Sequence, residues 1–224
     1  VHGKIVALKL PKTDLFIGGE FVAPSTGETF EVVNPATEEV IARVASAGAK
    51  DVDAAVLAAR KAFEEGPWPK MAAKDRAKLI WKLGELLLKY NEGDVSVLET
   101  AHNGKPIFES QYVDVPHSAE CLFYFAGWTT KIHGETIPTN ADAFTYTLRE
   151  PIGVVGAITP WNFPLMLGMW KVGPALAAGN TVIWKPASQT PLTALRFAEI
   201  CQEAVLPPGV VNVVTGPGST VGPA

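Results

Sequence analysis

Three short stretches of this chain carry residue types and spacings that suit chemistry. In Thr159-Pro160-Trp161-Asn162-Phe163-Pro164, an asparagine stands just beyond the apolar run Val154 to Ile158, between two large aromatic residues. A side-chain amide fixed in that way can donate to an oxyanion as it develops. The same residue is also well placed to cap the next helix, with Pro164 at its first turn, and spacing alone leaves both roles open. In Lys185-Pro186-Ala187-Ser188, a lysine ends the apolar run Thr181 to Trp184. Its ammonium must find an anion or a ribose hydroxyl, or else snorkel to water. Gly216-Pro217-Gly218-Ser219-Thr220-Val221-Gly222 follows the run Val210 to Val214 and reads GxGxxxG. On its own this is a common glycine-rich turn, but after a strand it suits the close approach of a pyrophosphate.

The elements that must position these residues follow from hydrophobic periodicity. The pattern predicts strand 152–158, helix 164–178, strand 181–185, helix 191–204 and strand 210–214, with Thr190-Pro191 as cap and first position of the second helix. Strands alternating with helices make consecutive βαβ units on a parallel sheet, with ligands at the carboxyl ends of the strands. Upstream, Phe16 to Val22 carries a two-glycine hairpin signal, and Asn34 to Glu39 reads as a turn between two short strands. Helical spacing then predicts helices over 51–63, 72–90, 94–102 and 110–131. The aromatic residues Phe123, Tyr124, Phe125 and Trp128 of the last helix are expected in the core rather than around a cofactor. Residues 145–149 alternate like an exposed strand.

Composition narrows the function further. The chain has 224 residues, 47% hydrophobic and 19% charged, with net charge −4, so nothing in it marks a nucleic-acid binder. The uncharged stretch 151–170 is broken at Pro151, Gly153, Gly156, Pro160, Asn162 and Pro164, so it reads as strand, turn and helix rather than a membrane span. His2, His102, His117 and His133 form no metal-binding pair, and no metal site is expected. The start of the chain lacks the charged and apolar regions of a secretory leader. Cys121 and Cys201 imply a reducing, cytoplasmic setting and read as structural thiols. Lys171, the only charge between Glu150 and Lys185, is expected to be paired and half-buried.

Taken together, these stretches resemble the NAD(P)-dependent aldehyde dehydrogenase superfamily. The motifs in family order are Asn34-Pro35-Ala36-Thr37, Asn103-Gly104-Lys105-Pro106, Glu150-Pro151-Ile152-Gly153-Val154, Thr159 to Pro164, Pro174 to Asn180, Lys185 to Ser188 and the Gly216–Gly222 turn. The resemblance implies an α/β fold with a Rossmann-like parallel sheet, incomplete in this chain, preceded by an N-terminal β and helical segment. It divides the chain into 1–133, strands and helices of the cofactor domain; 134–150, an oligomerisation element; and 151–224, the first part of the NAD(P)-binding sheet.

By the same resemblance, Asn162 is the side-chain donor of the oxyanion hole, and Lys171 holds a charge-relay role assigned in some members. Ile158, Thr159, Pro160, Trp161, Lys185, Ala187, Ser188, Gly218 and Gly222 bind NAD or NADP. The substrate is a small-molecule aldehyde, and the full-length protein is a homodimer or homotetramer, with neither nucleic acid nor membrane as partner. Many NAD-preferring members carry a glutamate where this chain has Ser188, so NADP is expected to be tolerated. The family's nucleophilic cysteine, in a Gly-Gln-x-Cys context, and its activating glutamate have no counterpart before Ala224. The chain is therefore expected to be an N-terminal portion, inactive and poorly soluble on its own. A stand-alone nucleotide-binding module and an inactive structural subunit are the alternatives.

Overall fold

The computed structural model describes residues 8–224; His2 and the start of the chain lie outside them. Four short strands come first: β1 (Leu15–Ile17), β2 (Glu20–Val22), β3 (Thr29–Val33) and β4 (Val40–Ala45). Helices α1 (Ala49–Glu64) and α2 (Ala73–Lys89) follow. A kinked π-type turn, Asn91–Val95, leads into α3 (Ser96–Asn103). A single turn, α4 (Ile107–Glu109), and a second π-type turn, Ser110–Asp114, precede α5 (Val115–Ala126). The small hairpin β5 (Thr136–Ile137) and β6 (Thr145–Tyr146) is next. Then β7 (Val154–Ile158), α6 (Pro164–Ala177), β8 (Thr181–Lys185), α7 (Leu192–Glu203), β9 (Val211–Val213) and α8 (Gly218–Val221) alternate.

The two βαβ units are present, with β7, β8 and β9 parallel and adjacent. The sheet is mixed, however. β1 pairs antiparallel with β9, so the order is β2-β1-β9-β8-β7. The two-glycine hairpin thus extends the same sheet from the far end of the sequence.

All five residues of β8 are buried, because it lies between β9 and β7 with α1 and α6 packed on it. Helix α6 lies against it so closely that a Cβ at Gly168 would stand 2.1 Å from the Trp184 ring. Asn180 closes the turn between them: its Oδ1 accepts from the Gly153 N–H at 3.0 Å, and its carbonyl accepts from Trp68 Nε1 at 3.0 Å. On the outer side, Arg196 of α7 forms a buried bidentate ion pair with Asp94, fastening α7 to the turn that precedes α3.

Several expectations need correction. The segment 110–131 is helical only as far as Ala126: a π-type stretch, Ser110–Asp114, runs directly into α5, and turns follow it. Its aromatic residues do not all enter the core. The buried stripe of α5 is Val115, Ser118, Ala119, Leu122 and Ala126, at helical spacing, and this turns Tyr124 and Trp128 outward, 61% and 41% exposed. The strand expected over 145–149 is only two residues long, and β7 starts at Val154 rather than at 152, because Gly153 has φ +119°. Thr190 does not cap α7: the helix begins at Leu192, and no side chain of its own turn caps it.

Candidate active site

The register brings the sequence-predicted residues to one edge of the sheet. Ile158 and Lys185 are partners across the β7–β8 ladder, and the Thr159 N–H donates to the Lys185 carbonyl at 3.1 Å. The Val214 N–H donates to the Trp184 carbonyl at 3.0 Å, which sets the start of the Gly216–Gly222 turn beside them. Thr159 is buried, and its hydroxyl accepts from Trp184 Nε1 at 2.9 Å, fixing the end of β7 against β8. Ile158 and Trp161 are 63% and 58% exposed, so the strand ends present apolar surface outward.

Asn162 is exposed, and its side chain does not cap α6, whose N-cap is Phe163. The cap alternative is therefore excluded, and the amide is left available. Among the described residues, only its backbone carbonyl is engaged, by Lys105 Nζ at 3.1 Å.

Lys185 is buried, and its Nζ donates to the carbonyl of Pro186 at 3.1 Å. Among the described residues no carboxylate pairs with it, and burial holds its pKa below the ordinary lysine value. A buried ammonium with proton-donating capacity to spare is the chemical complement of a hydroxyl or a phosphate oxygen. Ala187 and Ser188 form the half-buried turn that follows, and the Ala187 carbonyl accepts from the Thr190 N–H at 3.1 Å. Gly218 opens α8, and a Cβ there would meet no atom within 4 Å, so packing does not require a glycine at this position. A Cβ at Gly222 would stand 2.4 Å from the Gly218 carbonyl. These features suit a dinucleotide laid across the strand ends.

Lys171 departs from expectation. It is exposed on α6 and, among the described residues, forms no ion pair. It follows Asn162 by more than two helical turns, about 10 Å along the axis from the start of α6. Leu167, Gly168, Pro174 and Ala175, three and four positions away on α6, offer it no acidic partner.

Neither thiol is activated. Burial pushes Cys121 up to about 11 and raises Cys201 further. Cys121 Sγ is taken up by the Met169 carbonyl at 3.4 Å.

Sequence reasoning missed the residues that hold this edge from behind. Glu99 and His102, both buried on α3, cap the two helices that follow the strand ends. The Leu165 N–H donates to Glu99 Oε1 at 3.2 Å, and the Leu192 N–H donates to His102 Nδ1 at 3.2 Å. Thr193 Oγ1 donates to Glu99 Oε2 at 2.8 Å, tying the two caps together. A cavity of about 420 Å³ lies beside them, lined by His102, Asn103, Trp161, Gln189 and Thr190 among others. Of the expected cofactor residues, only Trp161 reaches it. The one available signal was the Asn103-Gly104-Lys105-Pro106 motif, which by itself reads as a helix stop.

Comparison with known proteins is decisive on family. Residues 21–224 match the aldehyde dehydrogenase family. The chain belongs to that family. It is 50% identical to aldehyde dehydrogenase 1A1 of Mesocricetus auratus, over 100% of this chain and 45% of the relative. It is 49% identical to the mitochondrial aldehyde dehydrogenase family 2 member B4 of Arabidopsis thaliana, over 97% of this chain and 40% of the relative. Among solved structures, the NAD+ complex of a Bacillus cereus aldehyde dehydrogenase superposes with TM-score 0.92 at 50% identity, covering 95% of this chain and 43% of that one. The chain thus spans less than half the length of the relatives it matches, and its α/β fold is that part of the aldehyde dehydrogenase fold.

Proposed function

We propose that this chain is the part of an NAD(P)-dependent aldehyde dehydrogenase that supplies the oxyanion donor and one side of the cofactor groove. The reaction is oxidation of an aldehyde to a carboxylic acid through a covalent thiohemiacetal and thioester. The observation that carries the reading is the Asn162 amide, which caps no helix and lies four residues beyond the end of β7, with the buried Lys185 ammonium at the end of the neighbouring strand.

The nucleophilic thiolate and the activating glutamate belong outside residues 1–224, since both thiols here are protonated at neutral pH. When thiolate attack turns the aldehyde oxygen into an oxyanion, Asn162 donates a hydrogen bond to that oxygen from its side-chain N–H. Lys185 binds a ribose hydroxyl or phosphate, with Ser188 beside it, and Gly218 and Gly222 lie near the adenine and pyrophosphate. Ile158, Thr159, Pro160 and Trp161 form the wall on the nicotinamide side, with Ala187 in the turn across from them. The bound dinucleotide supplies the hydride acceptor. Ser188 carries no charge to repel a 2′-phosphate, so either NAD or NADP is accepted. Lys171 keeps a relay role only if acidic groups from outside this chain reach it.

In this reading residues 1–133 and 151–224 build the cofactor domain. Residues 134–150, where Ile137, Phe144, Tyr146 and Leu148 are exposed, form the contact of a homodimer or homotetramer. The free thiols of Cys121 and Cys201 support a reducing, cytoplasmic location, although relatives include both cytosolic and mitochondrial enzymes. Among the described residues, no helix is long and apolar enough to cross a membrane.

The test is aldehyde-dependent reduction of NAD+ and NADP+ by the full-length protein, beside the 224-residue chain alone. Turnover by the full-length protein and none by the chain alone is expected. Turnover by the isolated chain would overturn the placement of the nucleophile.

A further inference from the structure

The carbonyls of Trp161 and Asn162 lie between strand and helix, and among the described residues no backbone N–H takes either of them. Two side chains from one tight turn do so instead. Asn103 Nδ2 donates to the Trp161 carbonyl at 2.6 Å, and Lys105 Nζ donates to the Asn162 carbonyl at 3.1 Å. Gly104 between them closes α3 at φ +85°, and a Cβ there would stand 2.6 Å from Pro35 Cγ. The turn can therefore present both donors to successive carbonyls only with glycine at its centre.

Lys105 makes three contacts at once. Its Nζ pairs with Asp114 Oδ2, bonds the Asn162 carbonyl, and lies 4.3 Å from the centroid of the Phe163 ring. Its side chain is 11% exposed and that of Asp114 is fully buried. Asp114 Oδ1 has no partner among the described residues. A buried ion pair of this kind is a poor source of stability, because desolvation offsets the attraction. What the arrangement does achieve is geometric. The carboxylate fixes the ammonium, the ammonium fixes the Asn162 carbonyl, and its cation–π contact fixes the next ring.

We propose that Lys105, with Asn103, is a positioning residue that holds the Trp161–Phe163 turn and thereby aims the Asn162 amide at the reacting oxygen. This rests on the functional reading above.

The competing explanation is that Lys105 only neutralises Asp114. The paired variant Lys105→Met with Asp114→Asn separates the two, since it leaves no lone buried charge to unfold the protein. In the full-length enzyme, the paired variant is expected to melt near wild type and to keep its KM for aldehyde and cofactor within about twofold. Its kcat is expected to fall roughly 10- to 100-fold, as displacement of a reacting group by about 1 Å does. Lys105→Arg, which keeps charge and donors, should recover part of that loss. Added to Asn162→Ala, the paired variant should cost nothing further, since both act through one amide. A paired variant with wild-type kcat, or losses that multiply, overturns the proposal.

Amide hydrogen exchange over residues 159–165 gives a reading independent of turnover. Faster exchange in the paired variant is expected, and unchanged exchange overturns the holding role. If the wild-type enzyme oxidises no aldehyde, the functional reading fails instead, and exchange still decides whether Lys105 holds the turn.

Discussion

The turn after β7 and the turn after β8 lie side by side on one sheet edge but are secured in opposite ways. The first leaves its functional group in the open and holds its backbone: Asn162 is exposed, while Asn103, Lys105 and Glu99 fix the chain on either side of it. The second buries its functional group and gives it almost nothing to bind, since among the described residues Lys185 donates only to its neighbour's carbonyl. A donor to a transient oxyanion gains from a rigid frame that costs no reorganisation during reaction. A buried ammonium without a counter-charge is a destabilising feature that a ligand relieves. On the proposed reading, the first turn serves the chemical step and the second serves binding.

That contrast breaks most visibly in kcat. Asn162→Ala is expected to lower kcat of the full-length enzyme by roughly 100- to 1,000-fold with little change in cofactor KM, the usual effect of losing one oxyanion donor. Steady-state kinetics with saturating cofactor checks this, and a change confined to KM would contradict the division of labour.

Lys185→Met should do the reverse. Loss of a hydrogen bond from a charged donor weakens cofactor binding by roughly 10- to 100-fold, read by calorimetric titration. The same variant should melt higher than wild type without cofactor, because it removes a buried ammonium. The sign follows from the lowered pKa. The unfolded chain holds this proton more tightly, so folding is penalised while the group is charged, and the penalty lifts only as pH rises toward the unfolded pKa. A melting temperature unchanged from pH 7 to pH 10 in wild type and variant alike would count against it.

Ser188→Glu sharpens the binding half of the comparison. A carboxylate beside the ribose site repels a 2′-phosphate, so the ratio of kcat/KM for NAD+ over NADP+ should rise about tenfold or more. An unchanged ratio would remove Ser188 from the cofactor site.

The smallest effect concerns the cysteines. Cys121→Ser and Cys201→Ser should leave kcat unchanged, and alkylation of either thiol should be slow at pH 8. Cys121 is raised from 9.0 to about 11 by burial, so its thiolate becomes abundant only above that range. The stability linked to its neutral form is complete below pH 9.0 and is lost as pH rises through about 11. Rapid modification at pH 8, followed by mass spectrometry, would show that one of them is activated after all.

The βαβ rhythm was legible because its signals are local. β8 occupies Thr181–Lys185 as its apolar run predicts, and α6 starts at Pro164, where a proline suits the first turn. Asn162 and Lys185 could be singled out because a polar residue at the end of a buried strand conflicts with its surroundings. The expected cap at Thr190 failed because the capping group comes from elsewhere. His102 serves α7 from 90 positions away, and Glu99 serves α6 from 66. Lys171 was misjudged because its exposure depends on which face of α6 packs on the sheet, and the pattern of a largely apolar helix leaves that face ambiguous.

The sequence by itself therefore determined the strands, the breaks between them and the two polar residues at their ends, since periodicity and turn chemistry act within a few residues. Only the tertiary structure decided that β1 joins β9, that Asn162 caps no helix while Lys185 is buried with so little to bind, and that Lys105 grips a carbonyl 57 positions away. Those outcomes depend on which surfaces meet in space, and contacts across such separations leave no local trace in the order of residues.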